Sequence, residues 1–450
     1  MIAEIPYPES VPDLFEAISD LPWPVFLDSA GLGRHDILAA APCATLVTKN
    51  GRTEISDRGS KKLSMEDPFD LLRKMLLPLE VENPLPFMGG AIGYFGYDLG
   101  LAPSGIDSTG KDIDFPDLAV GIYDWAIVVD HLGKTAHLAS NCRDMGTKTI
   151  WNELIERLSS PARHPRKAAF RLTGKIEAAP SLDEYGIAFA KIKEYIASGD
   201  CYQVNLAQCF EAPFTGDPWT LYRAFRAASP APYSAYFSNP HCRILSASPE
   251  RFLERHGSRV QTRPIKGTRP RSSDPTIDAR LARSLAESPK DRAENLMIVD
   301  LLRNDLGKVC ATGTVRVDKL FEIEHFASVH HMVSTISGHL DASHDALSLL
   351  KSAFPGGSIT GAPKIRAMEI IEELEPFRRG PYCGAMARIG FDGNMDSSIM
   401  IRTLAASANK IRLWAGGGIV ADSERDAEYQ EIRHKANVLL ALMESTLPSC

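Results

Sequence analysis

The chain has 450 residues, 44% of them hydrophobic and 24% charged, which suits an ordinary folded protein with room for roughly three domain-sized units. A formal net charge of −7 excludes the basic face that general nucleic-acid binding needs, and no run approaches the roughly 18 uninterrupted apolar residues of a membrane span. Eight cysteines without a Cys-x-x-Cys pair, together with an amino terminus that lacks a secretory pattern, predict reduced thiols in a soluble cytoplasmic protein.

Residues 1 to about 155 alternate short apolar runs with Gly and Pro turns, a pattern that favours strands over helices. Val120 to Val129 predicts one buried strand, and the glycines between Met88 and Asp98 mark backbones that pack closely. The latter run matches a dinucleotide-binding fingerprint only loosely and lacks a following helix. The polar, proline-containing stretch from Ser159 to about Arg171 reads as a linker. A helix follows from Ser181 to Gly199, opened by the capping-box pair Ser181 and Glu184. Strands are predicted over Cys201–Phe210 and at 243–265, 315–323, 383–392, 399–406 and 410–420. Helices are predicted near 275–286, 288–306, 363–374 and 424–445. The strands are not regularly separated by helices, so an α+β fold with mainly antiparallel sheets is expected rather than a doubly wound parallel one.

Arg263-Pro264-Ile265-Lys266-Gly267-Thr268-Arg269 holds one lysine among the cations Arg263, Arg269 and Arg271. Like-charge repulsion favours its neutral amine, and a neutral amine is a nucleophile. The bland alternative is a solvated basic loop, which these seven residues alone favour. Glu250 lies ahead of a hairpin turning at His256-Gly257. In simple register Glu250 faces about Arg263 and Lys266 about Ala247, which separates acid and amine by about 10 Å along the strands at roughly 3.3 Å per residue. The odd offset puts them on opposite faces, so a shared site needs a bulge or a strand end, which Pro249 or Gly267 could supply.

Asp291 and Glu294 share a face of the helix opened by Ser288-Pro289, and Glu428, Glu431 and Lys435 share a face of another. Facing carboxylates could hold a hard divalent ion such as magnesium; by spacing alone, solvated charge surfaces are the commoner explanation. Phe354 to Lys364 is a glycine-rich loop entering a helix, suited to an anion or to a plain tight turn. Ala362-Pro363 replaces the Lys-Ser/Thr of a P-loop. Arg402, on the strand Ile399–Arg402, sits among apolar residues and suits a bidentate carboxylate. His331 reads more readily as a core or surface histidine than as a catalytic one.

Together the segments SASPERF, RPIKGTRPR, DRAENLMIVDLLRNDLG, GGSITGAPKIRAMEIIEELEP, RGPYCGAM, SSIMIRTL and AGGGIVADSERDAEYQEIRHKA resemble the chorismate-utilising enzymes, over about residues 181 to 440 and more loosely before them. The resemblance implies that family's fold of layered antiparallel sheets with helices. It also implies an amino-terminal domain over 1–158 of the anthranilate synthase component I type, a linker at 159–175, and a chorismate-binding catalytic domain over 176–450, the two parts intertwined. Lys266 stands where the aminodeoxychorismate-forming branch carries a nucleophilic lysine and the anthranilate-forming branch usually carries alanine. The implied reaction is conversion of chorismate and ammonia to 4-amino-4-deoxychorismate through a covalent Lys266 intermediate, with Glu250 as general acid. Glu294 and Glu431 match magnesium ligands, with Asp291 and Glu428 nearby. His331, Thr360, Gly361, Arg402, Gly416, Gly417, Gly418 and Lys435 match the substrate pocket. Ammonia is expected from a separate glutamine amidotransferase subunit, because the chain has no Gly-x-Cys-x-Gly nucleophile motif. Ser29, Arg34, Pro232, Tyr233 and Ser234 match a tryptophan-type amino-acid pocket, in which His35 replaces an aromatic apolar residue. Ala387-Arg388 stands where relatives carry a Gly-Tyr that helps hold substrate. The alternatives are an anthranilate- or isochorismate-forming relative and, from another class, a non-catalytic regulatory homologue.

Overall fold

A computed structural model of the chain describes residues 1–447 apart from 78, 80–82, 108–112, 160–166 and 327–328. Two antiparallel sheets carry it, of thirteen and twelve strands among the described residues. The larger runs from Ile2–Ile5 at one edge through Trp125–Asp130, Val25–Asp28, Tyr233–Ser238 and Arg243–Ser248 to Thr403–Ser407, Lys410–Ile419 and Gln203–Thr215. The smaller runs from Ile265–Pro270 and Val329–His339 through Arg251–His256, Met395–Ile399 and Ala385–Gly390 to Gly90–Phe95, Leu118–Tyr123 and the edge strand Ser60–Ser64. Each sheet draws strands from both sides of residues 160–166, the part of the expected linker that lies outside the described residues; Arg171–Leu172 just beyond pairs with Gln203–Thr215 as a strand.

The expected helices form at Leu182–Ala197, Pro275–Ala286, Pro289–Gly307, Lys364–Leu374 and Arg425–Glu444. Ser181 and Glu184 make the reciprocal capping box, and Ser288 Oγ accepts from Asp291 N at 3.3 Å. The helix Arg425–Glu444 packs on Lys410–Ile419, and Pro289–Gly307 packs on Val329–His339 and Ile265–Pro270. Helices also form at Pro68–Leu76 and Met145–Ser159, which the strand-rich pattern of the first 155 residues did not reveal. The close packing expected of the glycine run is present: a Cβ at Gly93 would lie 2.1 Å from Ala119 O, and one at Gly90 would lie 2.2 Å from Ile389 O.

The chain crosses between sheets at tight corners, and these revise the expected strands. Val120 to Val129 is two strands, Leu118–Tyr123 in the smaller sheet and Trp125–Asp130 in the larger. Buried Asp124 forms the corner between them, accepting from Arg143 N at 2.8 Å and Ser140 Oγ at 3.3 Å, which compensates its desolvation. A second corner joins Arg243–Ser248 to Arg251–His256 and contains Glu250. A third joins Met395–Ile399 to Thr403–Ser407 and contains Arg402, which is therefore not on a strand and takes φ +49°. The two corners are bonded together: Ile399 N donates to Glu250 O at 3.1 Å, Ala247 N to Arg402 O at 3.1 Å, and Ser248 Oγ to Ile399 O at 2.6 Å.

The hairpin after Glu250 turns at Gly257-Ser258, one residue later than expected, and pairs Glu254 with Gln261. Continued past Thr262, that register sets Glu250 opposite Ile265 rather than Arg263. The bulge the sequence called for lies between Ile265 and Thr268 in their pairing with Val329–His339, where Gly267 takes φ +87°. A Cβ there would lie 2.9 Å from Asp291 Oδ1, so the bulge rests directly on the start of the carboxylate-bearing helix. Among the described residues no helix is long and apolar enough to cross a membrane, and all seven described cysteines are free.

Candidate active site

Glu250 is 5% exposed, and its Oε1 accepts a hydrogen bond of 2.8 Å from Ser358 Oγ. Burial raises its pKa to about 7, opposed by the Ser358 hydroxyl, the Lys266 charge and the Ile265 backbone. A carboxylic acid poised near neutrality can both give and take a proton.

Lys266 is half-buried, and burial is the first cause lowering its pKa; the Lys435 charge adds to it, while Glu294, Glu250 and Glu431 pull it back up. The three arginines that the sequence offered as the cause are not among the charges that act. Arg263 pairs with Glu324, Arg269 with Asp291 at 2.7 Å, and Arg271 with Asp278 at 2.8 Å. Among the described residues no carboxylate forms an ion pair with the Lys266 amine. The amine and the Glu250 carboxyl thus sense each other's charge across the bulge at Gly267.

The carboxylates of the two helices face one another electrostatically. Burial raises the Glu294 pKa, with Asp291 and Glu428 reinforcing the rise and Lys266 and Lys290 opposing it. Glu428 is 6% exposed; its Oε1 accepts from Ser423 Oγ at 2.6 Å and lies 3.9 Å from Lys290 Nζ. Glu431 Oε1 lies 2.6 Å from Lys435 Nζ, which also donates to Gly416 O at 3.0 Å. For Glu431 burial acts upward, but Lys435, Lys266 and Lys290 together outweigh it and the pKa falls. An all-oxygen donor set of this kind suits magnesium in type. Among the described residues, however, no three such groups converge as a ready-made metal cluster, because Arg269 holds Asp291 and Lys435 holds Glu431. The acids of the same helix that lie away from this face are paired otherwise, Asp300 with Arg303 and Asp305 with Lys364 and Lys308.

Arg402 has no carboxylate partner among the described residues, and burial lowers its pKa. His331 is buried and shares a hydrogen bond of 2.9 Å between its Nδ1 and Thr268 Oγ1. Burial, then the Arg402 charge, lowers its pKa to about 4, so it is neutral at pH 7. Thr360 is fully buried, with its hydroxyl donating to Gly356 O at 3.1 Å. Gly361 begins a two-residue strand on Gln203–Val204 where a Cβ would lie 2.1 Å from Gln203 O. The glycine loop therefore reaches its helix only after this strand, and its amides do not open the helix directly. Gly416, Gly417 and Gly418 pair with Ala207, Leu206 and Asn205. A Cβ at Gly417 would lie 3.2 Å from Glu428 Oε2, and one at Gly416 2.9 Å from the Tyr382 hydroxyl. Ser358 and Ser248 were not singled out in the sequence; a hydroxyl inside a glycine loop and one beside a candidate acid are the only signals they give.

A separate cavity of ≈ 650 Å³ lies between the sheets, lined by Ser29, Arg34, His35, Pro232, Tyr233 and Ser234 on one side and Arg251, Ala387, Arg388 and Asp396 on the other. The structure thus brings the five amino-acid-pocket residues together. Ala387-Arg388 lines this cavity too, where Arg388 Nη1 donates to Pro86 O at 2.7 Å and Nη2 lies 3.7 Å from Asp396.

This chain belongs to the family of chorismate binding enzymes, whose model matches residues 24–441. Component 1 of aminodeoxychorismate synthase from Klebsiella aerogenes is 48% identical to it, over 97% of this chain and 97% of its own. Anthranilate synthase component 1 from Thermus thermophilus is 39% identical, over 91% of this chain and 89% of its own. The crystal structure of anthranilate synthase component I from Streptococcus pneumoniae TIGR4 matches with a TM-score of 0.82 at 31% identity, covering 91% of this chain and 92% of that one.

Proposed function

We propose that the chain converts chorismate and ammonia to 4-amino-4-deoxychorismate, as the names of its aminodeoxychorismate synthase relatives suggest. The observation that carries this is an unpaired Lys266 amine of lowered pKa facing a buried Glu250 whose pKa is raised to about 7. The neutral amine forms a bond to C2 of chorismate as both ring double bonds shift, C1=C2 to C1=C6 and C5=C6 to C4=C5, and the C4–O bond breaks. Hydroxide is a poor leaving group, so Glu250 supplies a proton and the oxygen departs as water. The ammonium formed on Lys266 returns its proton to the Glu250 carboxylate. Ammonia then bonds to C4, the C2–N bond breaks, and Glu250 relays the surplus proton from the new C4 nitrogen to the departing lysine. Arg402 takes a substrate carboxylate in a bidentate grip, beside a His331 that stays neutral and adds no competing charge.

Glu294 and Glu431, with Glu428 and Asp291 beside them, would hold a magnesium ion once Glu431 turns from Lys435. Bound there, it would neutralise a ring carboxylate of the substrate. The words "component 1" in the relatives' names support a second component, which we assign as a glutamine amidotransferase supplying the ammonia. Seven free thiols among the described residues and the pathway chemistry suit a cytoplasmic setting.

The test is incubation with chorismate, magnesium and ammonium, with and without a purified aminodeoxychorismate lyase. Lyase-dependent 4-aminobenzoate is the expected product. Anthranilate formed without lyase would instead assign the activity named for the Thermus thermophilus relative, isochorismate would place the chain in the third branch, and no turnover would favour a binding homologue.

A further inference from the structure

Among the described residues, Ser358 supplies the one side-chain hydrogen bond to the Glu250 carboxyl, at 2.8 Å. It sits in the short turn Gly357–Ile359, which is fixed from several sides. Ile359 O accepts from Asn205 Nδ2 at 2.8 Å and from Arg379 Nη1 at 3.0 Å, and Arg379 is itself buried against Glu375 at 2.7 Å. Gly357 packs on the helix that carries Glu294, so closely that a Cβ would lie 2.3 Å from Leu301 Cδ2. Gly356 packs on Ile399 at the third corner, where a Cβ would lie 2.7 Å from its Cδ1. The hydroxyl is thus referenced both to the third corner, which is bonded to the corner of the acid through Ile399 N and Glu250 O, and to the carboxylate helix.

We infer that Ser358 is a positioning residue for Glu250 in the chemistry proposed above: its hydroxyl fixes Oε1 and, with the Ile265 backbone, orients the carboxyl that carries the transferable proton. A hydroxyl donating to a carboxylate favours the ionised form, so the same bond loosens a proton that burial would otherwise hold too tightly to deliver. The other titratable groups that face this carboxyl are the Lys266 amine, from the strand Ile265–Pro270, and the Cys383 thiol, from the turn ahead of Ala385–Gly390.

An infrared titration of the carboxyl region tests this directly, with the Glu250 band identified by its loss in Glu250→Gln. Ser358→Ala, and Ser358→Cys with its weak S–H donor, each move the midpoint up by about one pH unit, about tenfold in proton affinity. Ser358→Thr keeps the hydroxyl and keeps the midpoint. An unmoved midpoint in Ser358→Ala, or an equal shift in Ser358→Thr, overturns the assignment. The titration needs no turnover, so a wild-type protein inactive on chorismate would sink the proposed reaction and still leave the Ser358–Glu250 coupling measured.

Discussion

The inter-sheet cavity and the cluster around Lys266 are both polar, yet they treat charge in opposite ways. In the cavity most arginines are matched: Arg34 pairs with Asp130, Arg251 and Arg388 share Asp396, and Arg226 pairs with Asp28 behind it, while Arg255 donates to Gly257 O at 2.9 Å and has no ion pair among the described residues. Around Lys266 the flanking cations Arg263, Arg269 and Lys435 are matched too, but two central ones are not. Burial depresses Lys266 and Arg402 while neither has a carboxylate partner among the described residues, and Glu250 is pushed the other way. Pairing removes the cost of a buried charge, and leaving it unpaired is tolerated where a substrate group will complete the match. The contrast makes the Lys266 cluster the place where substitutions should cost chemistry, and the cavity a place where they should cost little.

The largest effect is expected at Lys266 itself. Lys266→Ala should lower chorismate turnover on the order of 10⁴-fold or more, the scale of losing a covalent nucleophile. It should also abolish the lysine adduct that mass spectrometry detects on wild type under turnover. An adduct never seen at this residue in active wild-type enzyme sinks the covalent route. Glu250→Gln should cost about 10² to 10⁴ in turnover, since a general acid contributes that much. Arg402→Lys should act on binding more than on rate, raising KM for chorismate by roughly tenfold through loss of the bidentate grip; a change confined to kcat would remove the carboxylate role.

Glu250 also makes a prediction on stability. Its folded pKa of about 7 exceeds the ordinary carboxyl value, so the folded state binds the extra proton and stability falls as pH rises from about 4.5 to about 7. Glutamine mimics the protonated form at every pH. Glu250→Gln should therefore match wild type in calorimetry at pH 5 and exceed it at pH 8, by about 3 kcal/mol at most. Equal stability at both values would mean that the acid is not strained by burial, and the contrast with the cavity would weaken.

Local signals made the helices legible: Ser288-Pro289 and the Ser181–Glu184 pair mark starts that need no knowledge of the rest of the chain. The sheet-changing corners were not legible in this way. Leu118 to Val129 is buried throughout, so the break at Asp124 interrupts no pattern that periodicity can register. Arg402 looked like a strand residue for the same reason. The environment of Lys266 was misread because residues adjacent in sequence need not be adjacent in charge. Each arginine of that loop is neutralised by an acid from another element, whereas Lys435, far along the chain, acts on the amine. Ser358 lay inside a recognised glycine loop, but its partner is 108 positions away.

The smallest expected effect lies in the cavity and sharpens the contrast most. Arg388 stands where the family resemblance implies a substrate-holding tyrosine, and its guanidinium is spent on Pro86 O and Asp396. In Arg388→Ala, Asp396 keeps Arg251 at 3.2 Å, so no buried carboxylate is left bare and the loss should be about 1 kcal/mol. Turnover of chorismate and its KM should stay within about twofold, because Arg388 itself bonds to Pro86 O and Asp396 and to neither Lys266 nor Glu250. A tenfold rise in KM on this substitution would mean that Arg388 swings toward the substrate, and that the two regions form one continuous site rather than two with opposite treatments of charge.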